Sequence, residues 1–145
     1  MAAGAIASGI LYTTSAAGKA AYISREDFAR ACATALANNS TTNAKFEVTG
    51  SKAIDRKTLA AIITNVLALP KPLDVKEVPT EELVKFYIAA KFPEPFAYFI
   101  AEIDRPVKDG NVAVIGNGYN KLTGKQPEKF EAFIQRNKAT YVPKN

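Results

Sequence analysis

Histidine is absent from the sequence. That absence removes Ser-His and Cys-His nucleophilic chemistry and every metal site built on imidazole. Cysteine occurs once, at Cys32. No intramolecular disulfide can form, and this usage fits a reducing, cytoplasmic compartment. Cys32 has no companion base and sits on an apolar helical stripe, so it reads as a packing residue and not as a nucleophile. No metal is expected. Long apolar runs are missing as well, and no segment approaches the length needed to cross a bilayer. The opening MAAGAIASGIL is apolar, but it is interrupted by glycine and lacks a basic start, so it does not read as a secretory signal.

Acidic residues are outnumbered, 14 Asp/Glu against 19 Lys/Arg, which gives a net charge of +5. Most of the excess lies from Asp104 onward, where 8 Lys/Arg face 4 Asp/Glu. Such an end attracts phosphates weakly and without reading sequence. No basic stripe interleaved with aromatics accompanies it, so neither nucleic acid nor a membrane is expected as a partner. Paired carboxylates occur only as Glu26-Asp27 and Glu81-Glu82, both at helix starts, where acids complement the helix dipole.

What the chain does contain is an alternation of short extended stretches and capped amphipathic helices, the pattern of an α/β fold. Its 145 residues, 48% hydrophobic, suffice for one domain with a core. Ala20–Ile23 reads as a short buried strand that runs almost directly into a helix near 25–37. Ser24 and Asp27 form the S-x-x-D signature of a capping box. Phe28, Cys32, Ala35 and Leu36 share one face of that helix. Before it, Met1–Gly9 has the composition of a helix tail with Gly9 just past its end, followed by an extended Ile10–Tyr12. After it, Ala37–Asn43 is a loop by composition. Its Asn38 and Asn39 satisfy N-x-[ST] only formally.

Lys45–Val48 is a second short strand. Asp55 is the N-cap of a helix near 56–67, with Leu59, Ile62, Ile63, Val66 and Leu67 on its apolar face and Pro70 and Pro72 beyond its end. Asp74–Val78 is a third strand. A helix near 81–91 starts from Thr80 and turns Leu83, Phe86, Tyr87 and Ala90 inward. Another, near 96–103, places Phe96, Phe99, Ile100 and Ile103 inward. Val112–Ile115 is a brief strand in an otherwise irregular stretch. A last helix, near 127–137, begins around Pro127.

Two patterns resemble catalytic motifs. Gly116-Asn117-Gly118 follows an apolar run as a dinucleotide loop does. The third glycine of G-x-G-x-x-G is missing, because Lys121 stands there, and no βαβ unit follows, so an ordinary turn is the expectation. Tyr87 and Lys91 match Y-x-x-x-K, a spacing at which a helix would bring lysine beside a tyrosine acting as general acid. Tyr87 also belongs to the buried stripe, and packing is the expected role.

Three stretches together resemble the C-terminal half of the NmrA-like, atypical short-chain dehydrogenases, closest to the NAD(P)H quinone oxidoreductase type. They are Gly9–Leu36 (GILYTTSAAGKAAYISREDFARACATAL), Ala44–Leu67 (AKFEVTGSKAIDRKTLAAIITNVL) and Lys121–Ile134 (KLTGKQPEKFEAFI). The resemblance implies the C-terminal portion of a Rossmann-like α/β fold. Residues 1–43 would be a remnant of the sheet, and 44–145 a substrate-binding α/β region. The family's cofactor fingerprint and most of its catalytic residues belong to an N-terminal half with no matching positions here. The resemblance therefore carries over no catalytic and no cofactor-binding residue. NADPH or NADH is expected for the full-length family and no cofactor for this chain alone. Pro79–Ile103 corresponds to the cover of the substrate cleft, which makes Tyr87, Phe92, Phe96 and Tyr98 the candidates for pocket lining. The function implied is the substrate-domain half of an NAD(P)H-dependent quinone or carbonyl reductase, not competent alone. The alternative is a non-catalytic interaction or regulatory module of the same descent. Either way Ala20–Ile23 would be left as a sheet edge, to be covered by the missing half or by self-association.

Overall fold

A computed structural model describes residues 2–38 and 43–141. Asn39, Ser40 and Thr41, and with them most of the expected 37–43 loop, lie outside the described residues. The elements run α1 (Ala2–Ser8), β1 (Ile10–Thr13), β2 (Lys19–Ala20), α2 (Arg25–Ala37), β3 (Ile54–Asp55), α3 (Arg56–Leu67), β4 (Asp74–Glu77), α4 (Thr80–Ala89), α5 (Glu94–Glu102), α6 (Arg105–Lys108), α7 (Gly118–Thr123), α8 (Phe130–Arg136) and α9 (Lys138–Tyr141). This is the mixed α/β architecture the sequence pattern implies.

The helix starts follow the capping chemistry. Ser24 Oγ accepts the Asp27 N–H at 3.0 Å and opens α2. Asp55 Oδ1 accepts the Thr58 N–H at 2.7 Å and opens α3, and that hydrogen bond lowers the Asp55 pKa. Gly9 (φ +75°) ends α1, a left-handed position that glycine occupies without a Cβ penalty. At the start of α4 the cap lies one residue earlier than expected. Pro79 precedes the helix without a side-chain cap, and Thr80 is its first residue.

β1 pairs with β4 in parallel, Ile10 opposite Asp74 through Thr13 opposite Glu77. A parallel pair needs a long crossover, and α2 and α3 lie within it. β2 pairs with β3 antiparallel, Lys19 opposite Asp55 and Ala20 opposite Ile54. The main core forms where α3 meets α8 and β4: Leu59, Ile63 and Leu67 are buried with Ile54, Leu73 and Ile134. A second core lies between α4 and α5, around Val78, Leu83, Val84, Ala97 and Ala101.

Several expected strands are not formed. Only Ala20 of Ala20–Ile23 joins a ladder; residues 21–23 carry no regular element, with Ala21 bonded to Val112 O and to the Gly50 N–H. Lys45–Val48 and Ala113–Ile115 likewise form no ladder, and Val112 lies in a turn. Short apolar runs mark extended backbone, but a strand also needs a partner ladder. Here each of these segments meets its neighbours through isolated bonds, such as Gly118 N–H to Glu47 O at 3.0 Å.

Two helices, α2 and α5, bury a different face from the one their large apolar residues define, and α4 buries the expected face only in part. In α2 the buried residues are Asp27 and Ala31, while Phe28 is 51% and Leu36 82% exposed, and Cys32 is exposed with them. In α4, Leu83 and Val84 are buried, but Phe86 and Ala90 are exposed and Tyr87 is half-buried. In α5 the inward residues are Ala97 and Ala101, while Phe96, Phe99 and Ile103 point outward. Alanine allows close helix approach, so α2 and α5 pack through their small residues and leave the large ones outside, while α4 packs through Leu83 and Val84.

Candidate functional site

The α4–α5 hairpin carries most of the residues proposed for a pocket. Its turn is set by Lys91, which adopts φ +67° just beyond the end of α4. The Lys91 N–H returns to Ile88 O and the Phe92 N–H to Tyr87 O, a left-handed C-terminal cap. Phe92 is thereby folded back onto Tyr87, the ring centroids 5.9 Å apart and the planes nearly perpendicular. Phe92 in turn lies 5.7 Å from Phe96, and Phe96 lies 6.2 Å from Phe99. Offset and edge-on pairs of this kind attract beyond their burial. The structure therefore brings Tyr87, Phe92 and Phe96 together in one row and adds Phe99. Tyr98 is 50% exposed and takes no part in these ring pairs; two positions from Phe96, it points to another side of α5. The i, i+3 spacing of Phe96 and Phe99 was the signal for the extra member.

The row is a surface and not an enclosed pocket. Phe92 and Phe96 are 40% and 46% exposed. A cleft of about 290 Å³ lies elsewhere, between Tyr22, Lys52, Ile54 and Phe130, and another near Thr64 and Leu73; neither contains any of the four candidates.

Lys91 does not accompany Tyr87 as the motif required. Its left-handed backbone takes it off the helix, so the i, i+4 relation fails. Burial pushes the Tyr87 phenol up from its ordinary value; the Asp104 charge adds to this and the Arg56 charge partly offsets it. A tyrosine so placed stays protonated at neutral pH and is not prepared to release its proton.

Asp104 and Arg56 belong to a buried polar node that local sequence patterns did not indicate. Thr13 donates to Asp104 Oδ2 at 2.5 Å, and the Thr14 N–H donates to the same oxygen at 3.0 Å. Arg56 bridges Asp104 Oδ1 and the Tyr22 hydroxyl. The node joins the end of β1, the start of α3 and the α5–α6 junction. Burial raises the Tyr22 pKa, Arg56 lowers it and Asp104 raises it further, with burial the largest effect. No motif spans partners this far apart in sequence; only the fold assembles them.

A second node centres on Asp27, itself buried. Its carboxylate does not turn back to the Ser24 N–H as a capping box requires. It accepts the Tyr119 hydroxyl, the Glu128 N–H and Arg30 Nη1, each at 2.7 Å. Burial acts to raise its pKa, but the bonds from Glu128 and Tyr119, the Arg30 charge and the Ser24 hydroxyl together bring it below the ordinary carboxyl value. Among the described residues no buried side-chain nitrogen or oxygen lacks a partner, and no group of three or more metal-ligating side chains occurs. Both nodes are saturated and hold elements together; neither aims a free polar group at a ligand.

Gly116 and Gly118 serve packing. A Cβ on either would come within 2.2–2.5 Å of the Glu47 carbonyl oxygen. Glycine here lets two backbones touch, and the helix that follows, α7, has only 6 residues.

No family model matches the sequence. Among curated proteins, prestalk A differentiation protein A of Dictyostelium discoideum is 23% identical over 114 residues, which cover 79% of this chain and 37% of that protein. Among solved structures, a triphenylmethane reductase of Citrobacter sp. superposes with a TM-score of 0.84 at 23% identity, covering 94% of this chain and 46% of that one. The NADPH-dependent quinone oxidoreductase of Escherichia coli gives a TM-score of 0.84 at 20% identity, covering 93% and 48%. A nucleoside-diphosphate-sugar epimerase of Staphylococcus aureus gives 0.82 at 22%, covering 92% and 46%. Crystal forms of the first two hold NADP(H) and NADPH. At these identities the likeness is one of fold. The chain spans less than half the length of each of these proteins. No helix among the described residues is long and apolar enough to cross a membrane.

Proposed function

We propose that this chain is the substrate-side, C-terminal half of an NAD(P)H-dependent reductase of the NmrA-like quinone oxidoreductase type, and that turnover needs a nucleotide-binding half. The observation that carries this reading is the superposition on the E. coli quinone oxidoreductase, with 93% of this chain laid on 48% of that one at a TM-score of 0.84. Dinucleotide binding in Rossmann-type proteins relies on a glycine turn that brings backbone N–H groups and a helix N-terminus to the pyrophosphate. Here Gly116 and Gly118 are committed to the Glu47 backbone. The row Tyr87–Phe92–Phe96 is then one wall of a cleft that the other half completes, and NADPH is the nucleotide that half would bring.

The test is a chimera in which this chain replaces the matched region of the E. coli oxidoreductase. NADPH-driven reduction of a quinone is expected, falling at least tenfold in the Phe92→Ala, Phe96→Ala double variant. A folded chimera that binds NADPH and reduces no quinone or carbonyl acceptor defeats the proposal. That result would favour a second reading, a non-catalytic interaction module, which draws support from the 40–62% exposure of Phe92, Phe96, Tyr98 and Phe99. The chain alone is expected to show no micromolar NADPH binding that survives high salt; the basic C-terminal end supplies only screened attraction.

A further inference from the structure

We propose that the cleft beside Tyr22 and Phe130 is a binding site for a small planar aromatic carboxylate. It shares no residue with the aromatic row of α4 and α5, and it stands independently of the functional reading above.

The cleft has a volume of about 290 Å³, at the lower end of the range for small-ligand sites, which keeps the ligand compact. Its apolar surface comes from segments far apart in sequence. The Tyr22 and Phe130 rings lie 5.6 Å apart, tilted by 39°, and form one continuous aromatic wall. Ile54 and Ile62 add aliphatic surface. A flat ring gains most from such a surface, through offset or edge-on contact with the two rings.

Each wall is held by an interaction of its own. Arg56 donates to the Tyr22 hydroxyl, and the Gly50 N–H bonds to Ala21 O at 3.1 Å, which ties the segment before Ser51 to the one before Tyr22. On the other side the Glu128 N–H bonds to Asp27 Oδ2 at 2.7 Å. A site whose walls are already fixed spends little binding energy on ordering them.

Charge selects the polar group of the ligand. Lys52 and Lys129 line the cleft, and neither enters an ion pair among the described residues. Glu128 lines it too, but Arg136 holds both of its carboxylate oxygens, at 3.1 and 3.0 Å. Glu131 is then the one lining acid outside an ion pair among the described residues, so the ammonium groups are in excess. The exposed Ser51 adds a hydroxyl that can donate. A carboxylate meets these donors through charge-assisted hydrogen bonds. The cleft near Thr64 and Leu73 makes no such choice: Lys57 there is balanced by Asp74, and no aromatic ring lines it.

The experiment uses the purified polypeptide that carries these residues, whatever flanks them, and titrates it calorimetrically with 2-naphthoate. Saturable one-site binding is expected. The neutral analogue 2-naphthalenemethanol and the Lys52→Met, Lys129→Met double variant should each bind about fivefold more weakly, the scale of two exposed charge contacts. Both lysines are exposed, so the double variant is expected to keep the thermal melt of the parent. Ile62→Trp, which fills the cleft, should abolish binding; if that variant does not fold, the lysine variant and the neutral analogue decide. Phe96→Ala, in the separate aromatic row, should leave the affinity unchanged. Absence of saturable binding, equal affinity for the neutral analogue, indifference to the lysine substitutions, or loss of binding in Phe96→Ala overturns the proposal. An inactive reductase chimera leaves this site standing, and loss of the site leaves the reductase reading standing.

Discussion

Removing the carboxylate of Asp27 tests the reasoning about what holds α2 in place. Asp27 is 4% exposed and accepts three hydrogen bonds at 2.7 Å, from the Tyr119 hydroxyl, the Glu128 N–H and Arg30. In Asp27→Ala the Glu128 N–H loses its acceptor. The Tyr119 hydroxyl, on a residue 2% exposed, keeps only the Arg30 contact at 3.0 Å. A buried donor left without a partner costs about 1–3 kcal/mol. Two such donors put the expected loss at about 3–5 kcal/mol, a large share of the ~5–15 kcal/mol typical of a domain. Asp27→Asn keeps one acceptor oxygen and is expected to lose about 1–2 kcal/mol. The pH dependence follows from the lowered folded pKa. Above the ordinary carboxyl value of 3.8 both states are ionised and the contribution is complete. As pH falls through 3.8 toward the lower folded value, the unfolded chain binds its proton first and the stabilisation is lost. Asp27→Asn is expected to flatten that part of the profile. Urea titrations followed by far-UV circular dichroism at pH 7 and across pH 5–3 read both effects. A loss below about 1 kcal/mol in Asp27→Ala, or an unchanged acid slope in Asp27→Asn, refutes the assignment.

The buried pair gives a second expectation: Asp104→Ala strands Arg56 and should cost about 3–5 kcal/mol, measured by the same titration, whereas a surface ion pair would cost under about 1 kcal/mol. Gly50→Ala places a Cβ 1.9 Å from the Tyr22 carbonyl oxygen; with backbone on both sides the contact cannot relax cheaply, and a fall in thermal midpoint of several degrees is expected in calorimetry. Ala68→Gly works in the other direction. Ala68 ends α3 at φ 53°, and glycine there should add about 0.5–1 kcal/mol, a gain that differential scanning calorimetry resolves.

The sequence was most legible where a local interaction decides the structure. The Ser24 and Asp55 caps, the spans of α2 and α3, the Gly9 stop and the β1 and β4 positions are all set by neighbours within a few residues. The core face of α3 was also readable, because Leu59, Ile63 and Leu67 pack against segments of this same chain. The inward faces of α2 and α5 were not, and that of α4 was readable only in Leu83 and Tyr87. Periodicity finds the apolar face of a helix but not whether the surface it fits is present. In this chain the faces with small residues, Ala31, Ala97 and Ala101, are the ones that find a neighbour. The Asp104 and Asp27 nodes were invisible for another reason: their partners meet only once the fold has formed. Tyr87 and Lys91 failed as a pair because a left-handed residue at the helix end, which the motif does not encode, separates them. The turn through Lys91 that folds Phe92 onto Tyr87 was equally outside what the motif encodes.

The parallel pairing of β1 with β4 governs the order of events during synthesis. β1 leaves the ribosome with its amides unpaired, and its ladder partner begins only at Asp74. At roughly 5–20 residues per second, the intervening chain takes about 3–13 s to appear. α2 and α3 can form from their own caps during that interval, but Ile10, Leu11 and Tyr12 must wait for Val75 and its neighbours. Until β4 emerges, β1 lacks this ladder partner. Translation speed across residues 14–73 therefore sets how long β1 goes without its β4 partner.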